Sequence, residues 1–384
     1  MSTPWTTERK SRFQLARTAG IGPLRFSQAL ERFQTAEKAL RILTDAGKIS
    51  PPSISQIEDE IARTEKLGAQ TLLYGDANYP ASLAAIPDFP PILHVKGKLS
   101  LLHQKSIAIV GARNASSAGL AIASQLAKKL AEKKITIVSG LASGIDGQAH
   151  RSALTETGST VAALPGGLDI IYPREHLSLY EEIAESGCVI TEAPPGASIL
   201  ARHFPKRNRF IAGLSLGTVI IEAARKSGTL ITANFSLDYD RLVFAVPGSP
   251  LDPRSAGGNH LIKEGAILVE NAEDILIHLP QEAEPSFSKN APKSQKLPPK
   301  EETTPSLFTK NDLQSPDIES EKEDLPPHAQ KILCLLSPVP ITIEALILQS
   351  KLSAQEVLTT ISLLNLLERV SLHPSDTISL APQK

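Results

Sequence analysis

Two short runs rich in β-branched residues, each cut off by a glycine loop and followed by a helix-length segment, constrain this chain more than any other feature. Ser106-Ile107-Ala108-Ile109-Val110 stops at Gly111-Ala112-Arg113 and leads into a helical pattern over 117–133. Ile135-Thr136-Ile137-Val138 stops at Ser139-Gly140-Leu141-Ala142-Ser143-Gly144-Ile145-Asp146. Runs of this length, alternating with helical segments, read as buried parallel strands joined by crossover helices. Both glycine loops then fall at the carboxyl edge of one sheet, where open α/β sheets bind ligands.

The pattern continues on both sides. Further strands are predicted at 160–164, 189–191, 218–221, 242–246 and 267–269, with helices at 145–156, 174–185, 208–214, 229–239 and 258–263. Upstream, 10–69 reads as helical, with apolar positions at Phe13, Leu15, Leu24, Phe26, Leu30, Phe33, Leu40 and Leu43. A Gly20-Ile21-Gly22 hairpin interrupts it, and serves equally as a phosphate-facing turn or as an ordinary helix-to-helix turn. Residues 71–97 read as short strands and turns, because Pro80, Pro87, Pro90 and Pro91 confine such pieces to edges and bends. Residues 280–324 are rich in Pro, Ser, Lys and Glu and cannot bury enough surface to offset ordering, so a disordered linker is expected. Residues 325–384 return to apolar periodicity, with helices at 327–336, 343–350 and 354–366 and a strand-turn-strand over 370–380, the outline of a winged helix. Ser353 is the expected N-cap of the third helix. That helix holds no Lys or Arg, so it is expected to face protein or its own chain, since phosphate contact needs cations.

The organisation expected is therefore α/β: a helical unit over 1–70, an extended Rossmann-like, mostly parallel sheet over 71–279, a linker over 280–324 and a winged helix over 325–384. At 384 residues, roughly 100 to 200 residues per domain gives two to four. A formal net charge of −1 leaves any nucleic-acid surface local. Cys188 and Cys334 each sit in an apolar run, which points to two buried thiols and not to a disulfide or a cysteine-held metal. No segment approaches about 18 consecutive apolar residues, and a soluble cytoplasmic protein with no membrane partner is the expectation.

Four features converge on the sheet edge. Gly111 turns the chain after the first strand and Arg113 carries a guanidinium over the edge. The loop from Ser139 and Gly140 feeds a helix start whose N–H groups suit a phosphate. The stretch Arg202-His203-Phe204-Pro205-Lys206-Arg207-Asn208-Arg209-Phe210 interleaves cations with two rings, as a single-strand groove requires for phosphodiester and stacked bases. Phe210 is expected to point inward; for Phe204, groove and core both remain open. Last, Arg225-Lys226-Ser227-Gly228-Thr229 joins two cations to a helix start, an anion nest or an ordinary capped helix.

Enzymatic motifs are sparse. Neither a Gly-x-x-x-x-Gly-Lys-Ser/Thr loop nor a Gly-x-Gly-x-x-Gly after the first strand occurs, and no His-Glu-x-x-His or Cys-x-x-Cys would hold zinc. No cofactor, metal or catalytic residue is therefore assigned. Asp146 and His150, four apart on one helix, read as a structural hydrogen-bonding pair. The rival is a Rossmann-like nucleoside-monophosphate phosphoribohydrolase: Pro165-Gly166-Gly167 with Gly217-Thr218 and Glu222 is similar to that group's signature. Here its two halves lie far apart, and Leu168-Asp169-Ile170 replaces Gly-Thr.

Together the residues resemble the DprA/Smf family. The resemblance runs in order through Tyr79-Pro80, Val95-Lys96-Gly97, Ile109 to Arg113, Ser139 to Asp146, Ala149-His150, Gly167-Leu168-Asp169 and Tyr172-Pro173. It continues through Phe204 to Arg209, Ser227 to Ala233, Val246-Pro247-Gly248 and Gly258-Asn259. It covers most of the α/β unit. The helical amino-terminal part is similar to the sterile-alpha-motif or helix-hairpin-helix domain of relatives, and the last sixty residues to their winged helix. The resemblance implies a non-enzymatic, homodimeric mediator of natural transformation that binds and protects single-stranded DNA and loads RecA recombinase. It places nucleic-acid contacts at Gly111, Arg113, Ser139, Gly140, Phe204, Arg207, Asn208, Arg209, Lys226, Ser227, Gly228 and Thr229. A lysine of some relatives is Ala201 here, with Arg202 next to it. For the dimer, the helical region 261–277 is the expected interface, with Leu276 as the position whose change to Glu or Arg should yield monomers.

Overall fold

The computed structural model describes residues 4–280, 325–367, 369–373 and 376–381. Four helices come first: α1 Thr7–Arg17, α2 Pro23–Phe33, α3 Ala36–Asp45 and α4 Ile54–Lys66. β1 Gln70–Leu73, the one-turn α5 Ala81–Ala84 and β2 Ile92–Gly97 lead into the alternating unit. That unit runs β3 Ser106–Gly111, α6 Ser117–Glu132, β4 Thr136–Ser139, α7 Ile145–Leu154, β5 Thr160–Ala163, α8 Leu177–Ser186, β6 Cys188–Thr191 and α9 His203–Leu214. It closes with β7 Gly217–Ile221, α10 Thr229–Asp238, β8 Leu242–Ala245, α11 Ala256–Lys263, β9 Ile267–Leu268 and α12 Glu273–Leu276.

These strands form one nine-stranded sheet in the order β1-β2-β6-β5-β4-β3-β7-β8-β9. β3 to β9 pair in parallel, while β2 runs antiparallel to β6 and β1 antiparallel to β2. The chain winds outward from β3 through β4, β5 and β6, then returns to place β7 on the other side of β3. That reversal opens a crevice at the carboxyl ends of β3 and β7, the position where doubly wound sheets take ligands.

Period-two alternation explains why both faces are covered. Along β3, Ile107 and Ile109 face one core with Leu126 and Leu130 of α6 and Ala149 of α7. Ala108 and Val110 face the other, with Phe210 and Ile211 of α9 and Leu230 of α10. The helical unit joins this second core through Leu15 and Phe26. Buried polar contacts fix it there: Arg9 pairs with Asp76 at 3.0 Å, and Glu60 pairs with Arg17 at 2.6 Å and hydrogen-bonds His94 at 3.0 Å. Burial raises the Glu60 pKa, but the hydrogen bond from His94 and the charge of Arg17 more than reverse this, leaving it lowered.

The carboxyl-terminal unit is a winged helix. α13 Pro327–Leu335, β10 Ile341–Thr342, α14 Ile343–Ser350 and α15 Ala354–Leu366 precede β11 Val370–His373 and β12 Thr377–Leu380. Ser353 and Glu356 form a reciprocal capping box at the start of α15. The unit touches the large sheet through Ser117, whose hydroxyl donates to the Leu335 carbonyl at 3.1 Å. Arg254 likewise donates to the carbonyls of Cys334 and Leu336.

Most predicted elements lie within one or two residues of their positions, with three differences. α9 begins at His203, five residues before the predicted 208, because Pro205 falls in the first helical turn, where its missing N–H costs nothing. Cys334 is exposed, while Cys188 is buried as expected, its thiol pushed up to about 12 by burial. Within 261–277, β9 separates two helices, Leu276 packs against the core, and Ile277 is the outward residue, 70 % exposed. The linker expected over 280–324 lies, beyond Pro280, outside the described residues. Among the described residues no helix is long and apolar enough to cross a membrane.

Candidate nucleic-acid interface

The crevice is built from backbone closeness first. A β carbon on Gly111 would overlap the Ile221 carbonyl oxygen, so glycine there lets β3 and β7 close at their carboxyl ends. Thr229, at the start of α10, donates its hydroxyl to the Gly111 carbonyl at 3.1 Å, and the Ser227 hydroxyl accepts from its N–H at 3.2 Å. This bridge ties the Ser227-Gly228-Thr229 turn to the end of β3. Lys226 is exposed at its rim, and the Asn208 amide reaches toward the Gly228 carbonyl at 3.5 Å.

Arg113 emerges beyond Gly111 with its guanidinium 5.2 Å from the centre of the Phe204 ring. Phe204 is half-buried, and Tyr172 meets it edge-on at 5.6 Å. One cation and two rings are thus gathered at the mouth of the crevice, and Tyr172 itself is 46 % exposed. Tyr172 was not among the residues assigned from sequence. An aromatic followed by proline in the loop after β5 was the available signal.

α9 divides the cations of this stretch between its faces. Arg207 and Arg209 are expected to follow phosphates, yet only 5 % and 4 % of each is exposed. Arg207 donates one terminal nitrogen to the carbonyls of Gly140 and Ala163. Burial pushes its pKa down to about 10, against the opposing pull of Asp146. Arg209 donates to Glu192 and to the Lys206 carbonyl. In this structure both guanidinium groups hold the sheet edge together and are not open to solvent. Of the side chains expected to contact a strand, Arg113, Phe204, Asn208 and Lys226 are the ones left at least partly open to solvent, with Arg207 and Arg209 behind them.

The Gly140 loop is likewise committed internally. Ser139 donates its hydroxyl to Ile109 at 2.6 Å, and the Gly140 N–H goes to the Asp146 carboxylate at 3.0 Å, so neither group is offered to a phosphate. A side chain at Gly140 would overlap the Arg207 guanidinium. The Leu141 N–H goes to His150 Nε2 at 3.2 Å. His150 Nδ1 lies 2.7 Å from the Thr160 hydroxyl, whose own proton goes to the Ile137 carbonyl at 2.6 Å; Nδ1 is therefore the donor and the ring is neutral. Burial, with the His176 charge second, lowers the His150 pKa to about 3. Asp146 and His150 both do structural work, but each holds the backbone of the Gly140 loop and they do not form the pair their spacing suggested.

Glu222, the residue on which the hydrolase reading turns, accepts from both the N–H and the hydroxyl of Ser116 at the start of α6. Gly166 and Gly167 follow β5, and β4 and β3 separate that strand from β7, roughly three inter-strand spacings of about 4.8 Å. The carboxylate is spent on a helix cap and stands away from the glycine pair. Among the described residues no group of three His, Cys, Asp or Glu side chains is placed to hold a metal.

Comparison with known proteins gives three sequence-family matches. DNA recombination-mediator protein A matches over residues 70–280, the DprA-like N-terminal HHH domain over 6–63 and the DprA winged helix domain over 316–376. Protein Smf of Synechocystis sp. is 31% identical over 377 residues, covering 92% of this chain and 94% of that protein. DNA processing protein DprA of Bacillus subtilis is 41% identical over 222 residues, 58% of this chain and 75% of that protein. Among solved structures, DNA processing protein A of Streptococcus pneumoniae aligns with a TM-score of 0.62 at 31% identity, covering 73% of this chain and all (100%) of that one. DNA processing protein A of Helicobacter pylori, described for its single-stranded DNA binding mode, aligns with a TM-score of 0.50 at 29% identity over 54% of this chain and 94% of that one. With its central match spanning the whole nine-stranded sheet, this chain belongs to the DNA recombination-mediator protein A (DprA/Smf) family.

Proposed function

We propose that this protein binds single-stranded DNA along the crevice between β3 and β7. There it acts as a non-enzymatic recombination mediator, shielding the strand and passing it to a RecA recombinase in the cytoplasm. The observation that carries the reading is the cluster of Arg113, Phe204 and Tyr172 at the switch point. An exposed cation for the phosphodiester beside partly exposed aromatic rings suits unpaired bases, which can stack where paired ones cannot. The single-stranded DNA binding of the H. pylori relative supports the same direction.

The test is fluorescence anisotropy with labelled oligo-dT and its duplex across a salt series. The wild type should prefer the single strand, and Arg113→Ala should bind more weakly with a log-affinity against log-salt slope shallower by about 0.7, one phosphate contact on a single strand. No strand preference, or an unchanged slope, would sink the groove. A homodimer formed at the β8–β9 end accompanies this reading, supported by the exposed Leu242, Leu268 and Ile277. Sedimentation of Ile277→Glu as an unchanged dimer would rule out that surface.

A further inference from the structure

A cavity of about 310 Å³ lies between the helical unit and the carboxyl edge of β5 and β6, and Phe204 is not part of its lining. Its lining includes Arg17, Gly22, Glu192, Lys206, Arg207 and Arg209. Two of these side chains hold nitrogen donors with no partner among the described residues: Nε of Arg207 and one terminal nitrogen of Arg209. Both belong to buried cations. A buried charged donor without an acceptor is costly, and such a group calls for a water, an ion or a ligand to satisfy it.

The remaining groups define the charge a ligand in the cavity would meet. Four cations line the cavity. Glu192 is shared by Lys206 and Arg209, and Glu60, in a neighbouring depression, takes Arg17. Two carboxylates against four cations leave positive charge to balance. Asp146 acts on Arg207 from the Gly140 side, and even with it counted three carboxylates face four cations. α2 also begins at this wall, and Gly22 at its N-cap provides no side-chain cap for the helix start, which adds the positive end of an 11-residue helix. The volume is at the low end of ligand pockets, about 300–1,000 Å³, which suits one small molecule or a chain end and not a length of strand.

From these observations we infer that the cavity is a second anion site, separate from the crevice, and that it takes a phosphate monoester. A monoester offers more charge and more acceptor oxygens than a phosphodiester, matching guanidinium donors presented in a fixed fork. Its solvent end is at Lys206, whose side chain is 62 % exposed. Two sources share this chemistry: the 5′-terminal phosphate of a strand lying in the neighbouring crevice, and a free nucleoside monophosphate. The inference does not rest on the crevice binding DNA.

The test is isothermal titration calorimetry of the full-length chain with inorganic phosphate and with thymidine 5′-monophosphate. It is paired with anisotropy on 5′-phosphorylated and 5′-hydroxyl oligo-dT. Lys206→Ala removes the cation at the mouth. Ala197→Leu fills the cavity from a half-buried position whose described hydrogen bonds are all backbone ones; circular dichroism checks that both variants fold. The wild type should give saturable heat with phosphate or the monophosphate, weakened about tenfold or more by either variant, the loss of a charge-assisted contact. Ala197→Leu should leave 5′-hydroxyl oligo-dT binding unchanged. A 5′-phosphate preference of about threefold or more that Ala197→Leu abolishes identifies the strand end as the source. Equal binding of the two strands, with the monophosphate still bound, identifies the free nucleotide. Absence of saturable heat together with equal strand binding overturns the site, as do identical affinities in all three proteins. Failure of the crevice reading is distinguishable, because Arg113→Ala would then leave strand binding unaffected whatever the phosphate titration shows.

Discussion

Acid should loosen the Gly140 loop through one histidine. His150 is fully buried and neutral in the native fold, accepting from the Leu141 N–H and donating to Thr160, and its pKa falls from 6.5 to about 3. In the unfolded chain the ring titrates near about 6.5. Above that value both states are neutral and the histidine's contribution is complete. Between about 6.5 and about 3 the unfolded chain holds a proton that the native fold does not, so stability falls as pH falls, by about 1.4 kcal/mol per pH unit. Below about 3 both states are protonated and the loss stops, having reached about 5 kcal/mol. Against a typical total of about 5–15 kcal/mol, that is a large share. The assay is urea denaturation followed by far-UV circular dichroism for the wild type and His150→Asn, from about pH 7 to about pH 4.5. The variant does not titrate, so the stability difference between the two proteins should move against the wild type by about 3 kcal/mol over that range. A difference constant with pH would refute the reasoning, and would mean that the ring is either hydrated or already protonated in the native fold.

Other perturbations separate the roles of neighbouring residues. Phe204→Ala should weaken oligo-dT binding by about 1–3 kcal/mol, the value of one stacked base, with duplex binding unchanged in the same anisotropy assay; equal losses on both would remove the stacking role. Gly140→Ala should cost about 1–3 kcal/mol as Arg207 is forced from its two carbonyls, measured by thermal denaturation, and an unaltered midpoint would show that Arg207 can yield. Removing the buried carboxylate in Glu60→Ala should cost about 3 kcal/mol or more by leaving Arg17 and His94 together, and the fluorescence of the single tryptophan, Trp5, should report the helical unit releasing first. Ser353→Ala should cost the winged helix about 1 kcal/mol, seen as faster hydrogen exchange in α15 with β3 to β7 unaffected; a change spread through the large sheet would contradict a local cap.

The winged helix shows how composition and geometry divide the work. Its three helices and its capping serine follow from local periodicity and turn chemistry, and the absence of cations from α15 is a property of the sequence. Its seat against Ser117 and Arg254 is not, because those hydrogen bonds run to carbonyls 218 and 80 to 82 residues away. The glycine loops show the same division. Gly111 and Gly140 are visible as strand breakers, but what excludes a β carbon is the Ile221 carbonyl in one case and the Arg207 guanidinium in the other, and neither is a sequence neighbour.

By itself the sequence determined which segments become strands and helices, their parallel alternation and the edge of the sheet on which the loops collect. These depend on period-two and period-3.6 patterning and on residues that stop a strand, all local properties. Tertiary structure decided which cations remain available. The stretch from Arg202 to Arg209 gathers four Lys and Arg residues within eight positions, but α9 rotates successive residues by about 100°. That rotation turns Phe204 toward Arg113, buries Arg207 and Arg209 against carbonyls and Glu192, and leaves Lys206 at the mouth of a cavity that only the docked helical unit completes. Charge is written in the sequence, whereas exposure of that charge depends on which partners packing brings within hydrogen-bonding reach.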